Sequence, residues 1–180
     1  MDVLDHPHAL LEATQTTPEQ VLNLFDRLEA VDLDFMTGRW RGSELAIGHP
    51  LDGFLKASNW YGKEFIDPET VHPILVLDPQ GHPIKVAPNH QVILWALKFP
   101  ELKNLALQPL LTGLSALMQT EKSQARLRMM DYRGKVSATM IYDYLPINDV
   151  FRKVDDNTVL GVMDFKTIPQ PFFFVLRRDR

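Results

Sequence analysis

Residues 124–165, QARLRMMDYRGKVSATMIYDYLPINDVFRKVDDNTVLGVMDF, carry four stretches of period-two patterning separated by turn residues. Arg133-Gly134 sits at the first boundary, and glycine tolerates the positive φ of a two-residue hairpin. Leu145-Pro146 marks the second, where proline cannot serve a central ladder. Asp155, Asp156 and Asn157 mark the third. Two-residue turns predict a register in which Met129 faces Ala138, Leu127 faces Met140, Met140 faces Phe151, and Tyr142 faces Asp149. With Asp156-Asn157 as the last turn, Phe151 faces Val162 and Asp149 faces Asp164.

That register sorts the side chains into two faces. One carries Leu127, Met129, Val136, Ala138, Met140, Phe151, Leu160 and Val162. The other carries Arg126, Arg128, Lys135, Ser137, Thr139, Asp143, Asn148 and Arg152. A sheet with one buried face divides in this way. The stretch therefore predicts most of the wall of an antiparallel β-barrel or strongly curved sheet. Tyr142, Asp149 and Asp164 form a polar row on the apolar side. A buried carboxylate is costly unless it is hydrogen-bonded, paired or neutralised. Three readings follow: a hydrated rim, a polar anchor inside a cavity, or an acid–base pair. Lys153, near the other end of that face, reads as a snorkelling side chain.

The totals exclude several classes. At 180 residues the chain suits one domain, here residues 17–180 behind a loosely held lead-in, with a sizeable core. Apolar residues make up 45% and charged residues 23%, as in ordinary globular proteins. A net charge of −4 offers no electrostatic case for nucleic acid. Cysteine is absent, which removes disulfides, zinc–thiolate sites and thiol nucleophiles. The first residues lack a basic n-region and a long apolar core, so no secretory leader is expected. No stretch reaches the roughly 20 apolar residues of a membrane span. A cytoplasmic location is the expectation. His6 and His8 read as solvated.

Thr17-Pro18-Glu19-Gln20 predicts a helix start, and Val21, Leu24, Phe25 and Leu28 form its apolar stripe, expected to plug or cover the barrel. Residues 71–87 predict a hairpin around Asp78-Pro79-Gln80-Gly81, with His72 and His82 as extended-chain residues and not a ligand pair. Residues 60–65 read as strand or turn. Residues 92–97 read as a strand, and 101–119 as a leucine-rich helix split at Pro109 that covers the barrel. Phe172, Phe173 and Phe174 in one strand must put aromatics on both its faces, against the core and against helices or a partner chain.

Gly38-Arg39-Trp40-Arg41-Gly42 is followed by His49-Pro50-Leu51-Asp52-Gly53, Trp60-Tyr61-Gly62-Lys63 and Val71-His72-Pro73. This series resembles the bacterial GXWXG-domain proteins, over about residues 24–82. Arg133 to Asp143, Pro146 to Asp164 and Phe173 to Arg178 are similar to that family's second module, itself of unknown function, over about 122–178. The resemblance implies architecture and no established activity. A more distant resemblance is to lipocalin-type calycins, which implies an arginine from the last strand, Arg177 or Arg178, packed over Trp40 to close the barrel base. Gly38, Trp40, Gly42 and Arg177 are the structural set so expected.

The expected fold is mainly β, a calycin-like antiparallel barrel with an N-terminal helix and a covering helical segment. No GxGxxG, P-loop, GxSxG or HExxH motif is present, and no cofactor is named by the residues. Three functions remain open. The first is a carrier or sensor whose hydrophobic ligand lies on Leu127, Met140, Phe151 and Val162, its polar end held by Tyr142, Asp149 and Asp164. The second is an enzyme using Asp149 and Asp164 for proton transfer. The third is an interaction protein that forms a homodimer through the 172–174 strand. Asp149→Asn is expected to alter ligand affinity and leave folding largely intact.

Overall fold

The computed structural model describes residues 7–13, 16–87, 89, 91, 98 and 117–179. The readings for residues 92–97 and most of 101–119, and for His6, fall outside them. Within the described residues the wall expected from 124–165 is present as β6 (Ala125–Tyr132), β7 (Lys135–Tyr142), β8 (Ile147–Asp155) and β9 (Thr158–Phe165), followed by β10 (Ile168–Arg178). Arg133 and Gly134 both adopt positive φ, 55° and 76°, as a two-residue hairpin with matching twist requires. Leu127 faces Met140 and Met129 faces Ala138, as expected. Toward the hairpin tip Met129 and Val136 are 43% and 51% exposed, so that end of the apolar face stands in solvent.

Two pairings differ from expectation. The β7–β8 turn takes in residues 143–146, so Met140 faces Asp149 and not Phe151. A shift of two residues preserves the faces. Between β8 and β9 the turn is the expected one, with Asp155 opposite Thr158, but a bulge between Lys153 and Asp155 slips the ladder by one residue. Phe151 then faces Gly161, Asp149 faces Met163, and Asn148 faces Asp164. An odd slip inverts a strand. Leu160 and Val162 consequently join an outer apolar cluster, Val159 and Phe165 point inward, and Asp164 is exposed.

The remaining wall is β2 (Gly38–Leu45), β3 (Trp60–Asp67) and β4 (Thr70–Leu77). Strands β2–β4 and β6–β10 run in sequence order as an antiparallel meander that closes where β10 pairs with β2. β1 (Glu29–Ala30) pairs beside β8, and β5 (Pro83–Lys85) forms the expected hairpin with β4. The β4–β6 seam is thin, with the single register pair Val71 to Ala125. Pro73 lacks an N–H and so suits a strand that leaves one neighbour there; β4 goes on to pair with β5 from Leu75. Trp40, Phe65, Leu127, Met140, Phe151 and Phe174 belong to the interior cluster.

Alternation along β10 puts Phe172, Phe174 and Leu176 inside and Phe173 and Val175 outside. The outer pair is covered by α2 (Pro18–Arg27), whose capping box forms as expected and whose Val21, Leu24 and Phe25 are buried. Phe25 meets Phe173 edge-on at 6.4 Å. The helix thus packs outside the wall and does not plug it. Phe172, Phe173 and Phe174 are all buried within the chain, in a strand paired with both β2 and β9 and covered on its outer face by α2. Before it, α1 (Pro7–Glu12) buries Leu10 and Leu11 in the same cluster, and His8 lies 2.9 Å from Asp155.

Asp26 at the end of α2 receives two hydrogen bonds from Arg133, each 2.6 Å. The Arg133 hydrogen bonds hold its carboxyl below the ordinary 3.8. The resulting stability is present above 3.8 and lost as pH falls through the depressed value. Both side chains are partly exposed, so Asp26→Asn is expected to cost only about 0.5–1 kcal/mol. Amide exchange should show α2 loosening before the barrel, and loosening of the barrel first would contradict this.

At the base, α3 (Leu33–Met36) crosses beneath Trp40, whose indole N–H donates to the Met36 carbonyl at 2.7 Å. The guanidinium of Arg178 lies 4.3 Å from the Trp40 ring and 5.3 Å from Phe35. It also donates to the carbonyls of Thr37 and Phe35. The closing arginine is therefore Arg178 and not Arg177. Alternation turns Arg177 outward, toward Ser43.

Candidate functional site

Lys63 faces the interior because it lies across from Trp40 and two residues from Phe65, both interior, while the β3–β4 ladder beside it is irregular. Gly62 pairs with Leu75 and Glu64 with His72, so Pro73 and Ile74 together oppose Lys63. This bulge redirects the Pro73 carbonyl from the ladder to a side chain. The Lys63 ammonium donates to it at 3.1 Å. The two flanking glycines make the packing feasible. A Cβ on Gly62, whose φ is +154°, would lie 1.9 Å from the Trp40 carbonyl oxygen. A Cβ on Gly42 would lie 2.2 Å from the Trp60 ring. The second glycine of the Gly38-to-Gly42 segment is thus the floor on which Trp60 rests.

Lys63 Nζ is 2.8 Å from Asp149 Oδ2, and the two side chains are only 3% and 2% exposed. The Tyr142 hydroxyl is 3.5 Å from Nζ. The rings of Phe174, Trp60 and Tyr142 surround the ammonium at 5.0, 5.6 and 5.7 Å. Ring faces attract a desolvated cation. Burial pushes the Asp149 carboxyl up, against the pull of the Lys63 charge beside it. Burial, with the Asp149 charge, pushes the Tyr142 hydroxyl well up, so it remains a proton donor. Asp149 Oδ1 and Trp60 Nε1 are both buried without a hydrogen-bond partner among the described residues. Buried polar atoms are nearly always paired, so these two atoms are exceptions to that rule.

Of the residues to which the sequence points, Tyr142, Asp149 and Met140 are brought together, Met140 being the cross-strand neighbour of Asp149. Leu127 and Phe151 line the same interior, and Phe151 meets Phe174 edge-on at 6.3 Å. Val162 and Asp164 lie elsewhere, on the outer face, for the register reason given above. Asp149 and Asp164 therefore form no acid–base pair. Lys63, Trp60, Pro73 and Phe174 were not anticipated as site residues. The one signal for Lys63 was a lysine inside an apolar strand segment, Trp60 to Phe65.

The halves of the site lie far apart in sequence. Residues 23–81, which supply Lys63, Trp60 and Pro73, match the GXWXG protein model. Residues 123–178, which supply Tyr142, Asp149 and Phe174, match a domain of unknown function, DUF4334. The chain is a GXWXG protein with this companion domain. It is similar along its whole length to the crystal structure of a protein from Thermomonospora curvata, with 34% identity, a TM-score of 0.74 and 100% of each chain covered. No curated protein matches it. In this GXWXG protein each of the two matched regions contributes strands to one closed wall and one partner to the buried ion pair. Among the described residues no cluster of three His, Asp or Glu is placed to hold a metal, and no helix is long and apolar enough to cross a membrane.

Proposed function

We propose that this GXWXG protein binds a hydrophobic small molecule within its barrel, as a cytoplasmic carrier or sensor. Lys63, Asp149 and Tyr142 hold the ligand's polar end, and Leu127, Met140 and Phe151 receive its apolar part. The observation that carries this reading is the buried ion pair with Asp149 Oδ1 left unpartnered. Such a pair adds little stability over apolar residues of the same volume, and strongly perturbed groups concentrate at functional sites. A second reading draws on the raised Asp149 carboxyl beside a tyrosine: proton transfer on a bound ligand, with Asp149 as the base and no part for Asp164.

Native mass spectrometry of protein purified from its own host tests the binding reading, with a co-purifying small molecule as the expected result. Asp149→Asn keeps the shape but removes the charge. It should weaken retention roughly ten- to hundredfold, the loss of one charge-assisted hydrogen bond. Because Asp149 is in a buried ion pair, the variant is also expected to lose stability, which revises the expectation of intact folding. Protein that is always ligand-free, and an Asp149→Asn variant that retains every tested apolar probe as the parent does, would remove the reading.

A further inference from the structure

We propose that the Lys63 amine condenses with the carbonyl of an apolar aldehyde to form a protonated imine, with Asp149 as its counter-ion. This rests on reading the barrel interior as a ligand site, and it names the chemical class of the ligand.

The first argument is the state of the amine. Lysine amines that condense with carbonyls are those taken out of water and set beside a proton acceptor. Lys63 Nζ is surrounded by three aromatic rings and touches Asp149 Oδ2 at 2.8 Å. The second argument is the set of groups around it. Trp60 Nε1 is an unpartnered donor on a ring facing the amine, and the Tyr142 hydroxyl is 3.5 Å from Nζ. The indole N–H can donate to a carbonyl oxygen as charge develops on it, while the Tyr142 hydroxyl is hydrogen-bonded to the Asp149 carboxylate. Asp149 Oδ1 itself has no hydrogen-bond partner within normal distance among the described residues. The third argument is exclusion. A ligand carboxylate would put a second anion beside Asp149 in a dry interior, which like-charge repulsion opposes. A neutral carbonyl brings no charge.

The step balances without an oxidant or reductant. Asp149 takes a proton from the Lys63 ammonium. The free amine forms a C–N bond to the carbonyl carbon while the carbonyl oxygen receives that proton, giving a carbinolamine. The carbinolamine C–O bond then breaks, the nitrogen lone pair forms the C=N bond, and the oxygen leaves as water with a second proton from the nitrogen. Aldehyde plus ammonium thus become iminium plus water, with one positive charge on each side. The iminium keeps its N–H for Asp149 and its charge for the three rings, so the desolvated pair is replaced by one of equal charge.

The test incubates the full chain with decanal, decan-1-ol or decanoate, then reduces with cyanoborohydride and maps adducts by peptide mass spectrometry. The expected result is one secondary-amine adduct from decanal, at Lys63, at least about tenfold above any other lysine. Decan-1-ol should leave no adduct, change the tryptophan emission through Trp60, and protect Lys63 from decanal. Decanoate should do neither. Lys63→Arg should abolish the adduct, and the site-resolved map of the unaltered protein decides the matter even if that variant does not fold. Adducts spread over other lysines with Lys63 unlabelled would overturn the proposal. Decanal and decan-1-ol both shifting the emission with no adduct would overturn the imine and leave ligand binding standing. No emission change and no adduct with any probe would remove both.

Discussion

Lys63→Met is expected to destabilise the protein by about 3–5 kcal/mol, because it leaves a buried carboxylate without its partner. The Lys63→Met/Asp149→Leu double variant should recover most of that loss, since apolar residues of similar volume replace such a pair at little cost. Urea midpoints at unchanged slope would measure both. The pH dependence has a defined sign. Burial already pushes the Asp149 carboxyl above its ordinary 3.8, and removing Lys63 takes away the opposing pull. A raised folded value means stability that is fully present below 3.8 and lost as pH rises through the folded value. The single variant should therefore approach the parent in acid and fall behind it toward neutrality. The double variant should show no such trend. A single variant costing under about 1 kcal/mol at every pH would mean that the pair is solvated and not buried.

Gly62→Ala is the second large effect, expected at about 3 kcal/mol or more. Its Cβ would lie 1.9 Å from a backbone oxygen, which cannot swing aside as a side chain can. Its φ of +154° adds to the strain. Gly48→Ala is the control, with a φ of +87° and nothing within 4 Å of the added atom, so only the backbone term of about 1–2 kcal/mol applies. Gly42→Ala should fall between the two and shift the tryptophan emission, because the Trp60 ring must move off its floor. Equal melting temperatures for Gly62→Ala and Gly48→Ala would refute the close approach of β2 to β3.

Both predictions concern contacts that local sequence did not reveal. The wall of 124–165 was legible because turn chemistry sets register over short distances, and Arg133-Gly134 behaved as its residue types demand. The bulge between Lys153 and Asp155 was not legible, since no glycine or proline marks it, and one unmarked residue sent Asp164 to the wrong side. Asp149 and Tyr142 were recognised because a polar row on an apolar face stands out by alternation alone. Lys63 was missed because its meaning depends on a counter-charge 86 residues later. The base contact was reached through resemblance to calycins, and only the alternation of β10 decided between two adjacent arginines. Residues 7–12 hold only two buried leucines, too few to announce a helix before the surface that receives them is known.

The pairing of Trp40 with Arg178 has a consequence for synthesis. The first long strand and the strand that closes the wall against it lie more than a hundred residues apart in sequence. Until β10 has been made and can pair with β2, the wall is an open ribbon with its apolar lining uncovered. Such species are prone to aggregate, and contacts so distant along the chain make slow folders. Stop codons or proteolytic nicks a few residues before Arg178 should therefore do more harm than their number suggests, because they remove the clasp that ends this exposed phase.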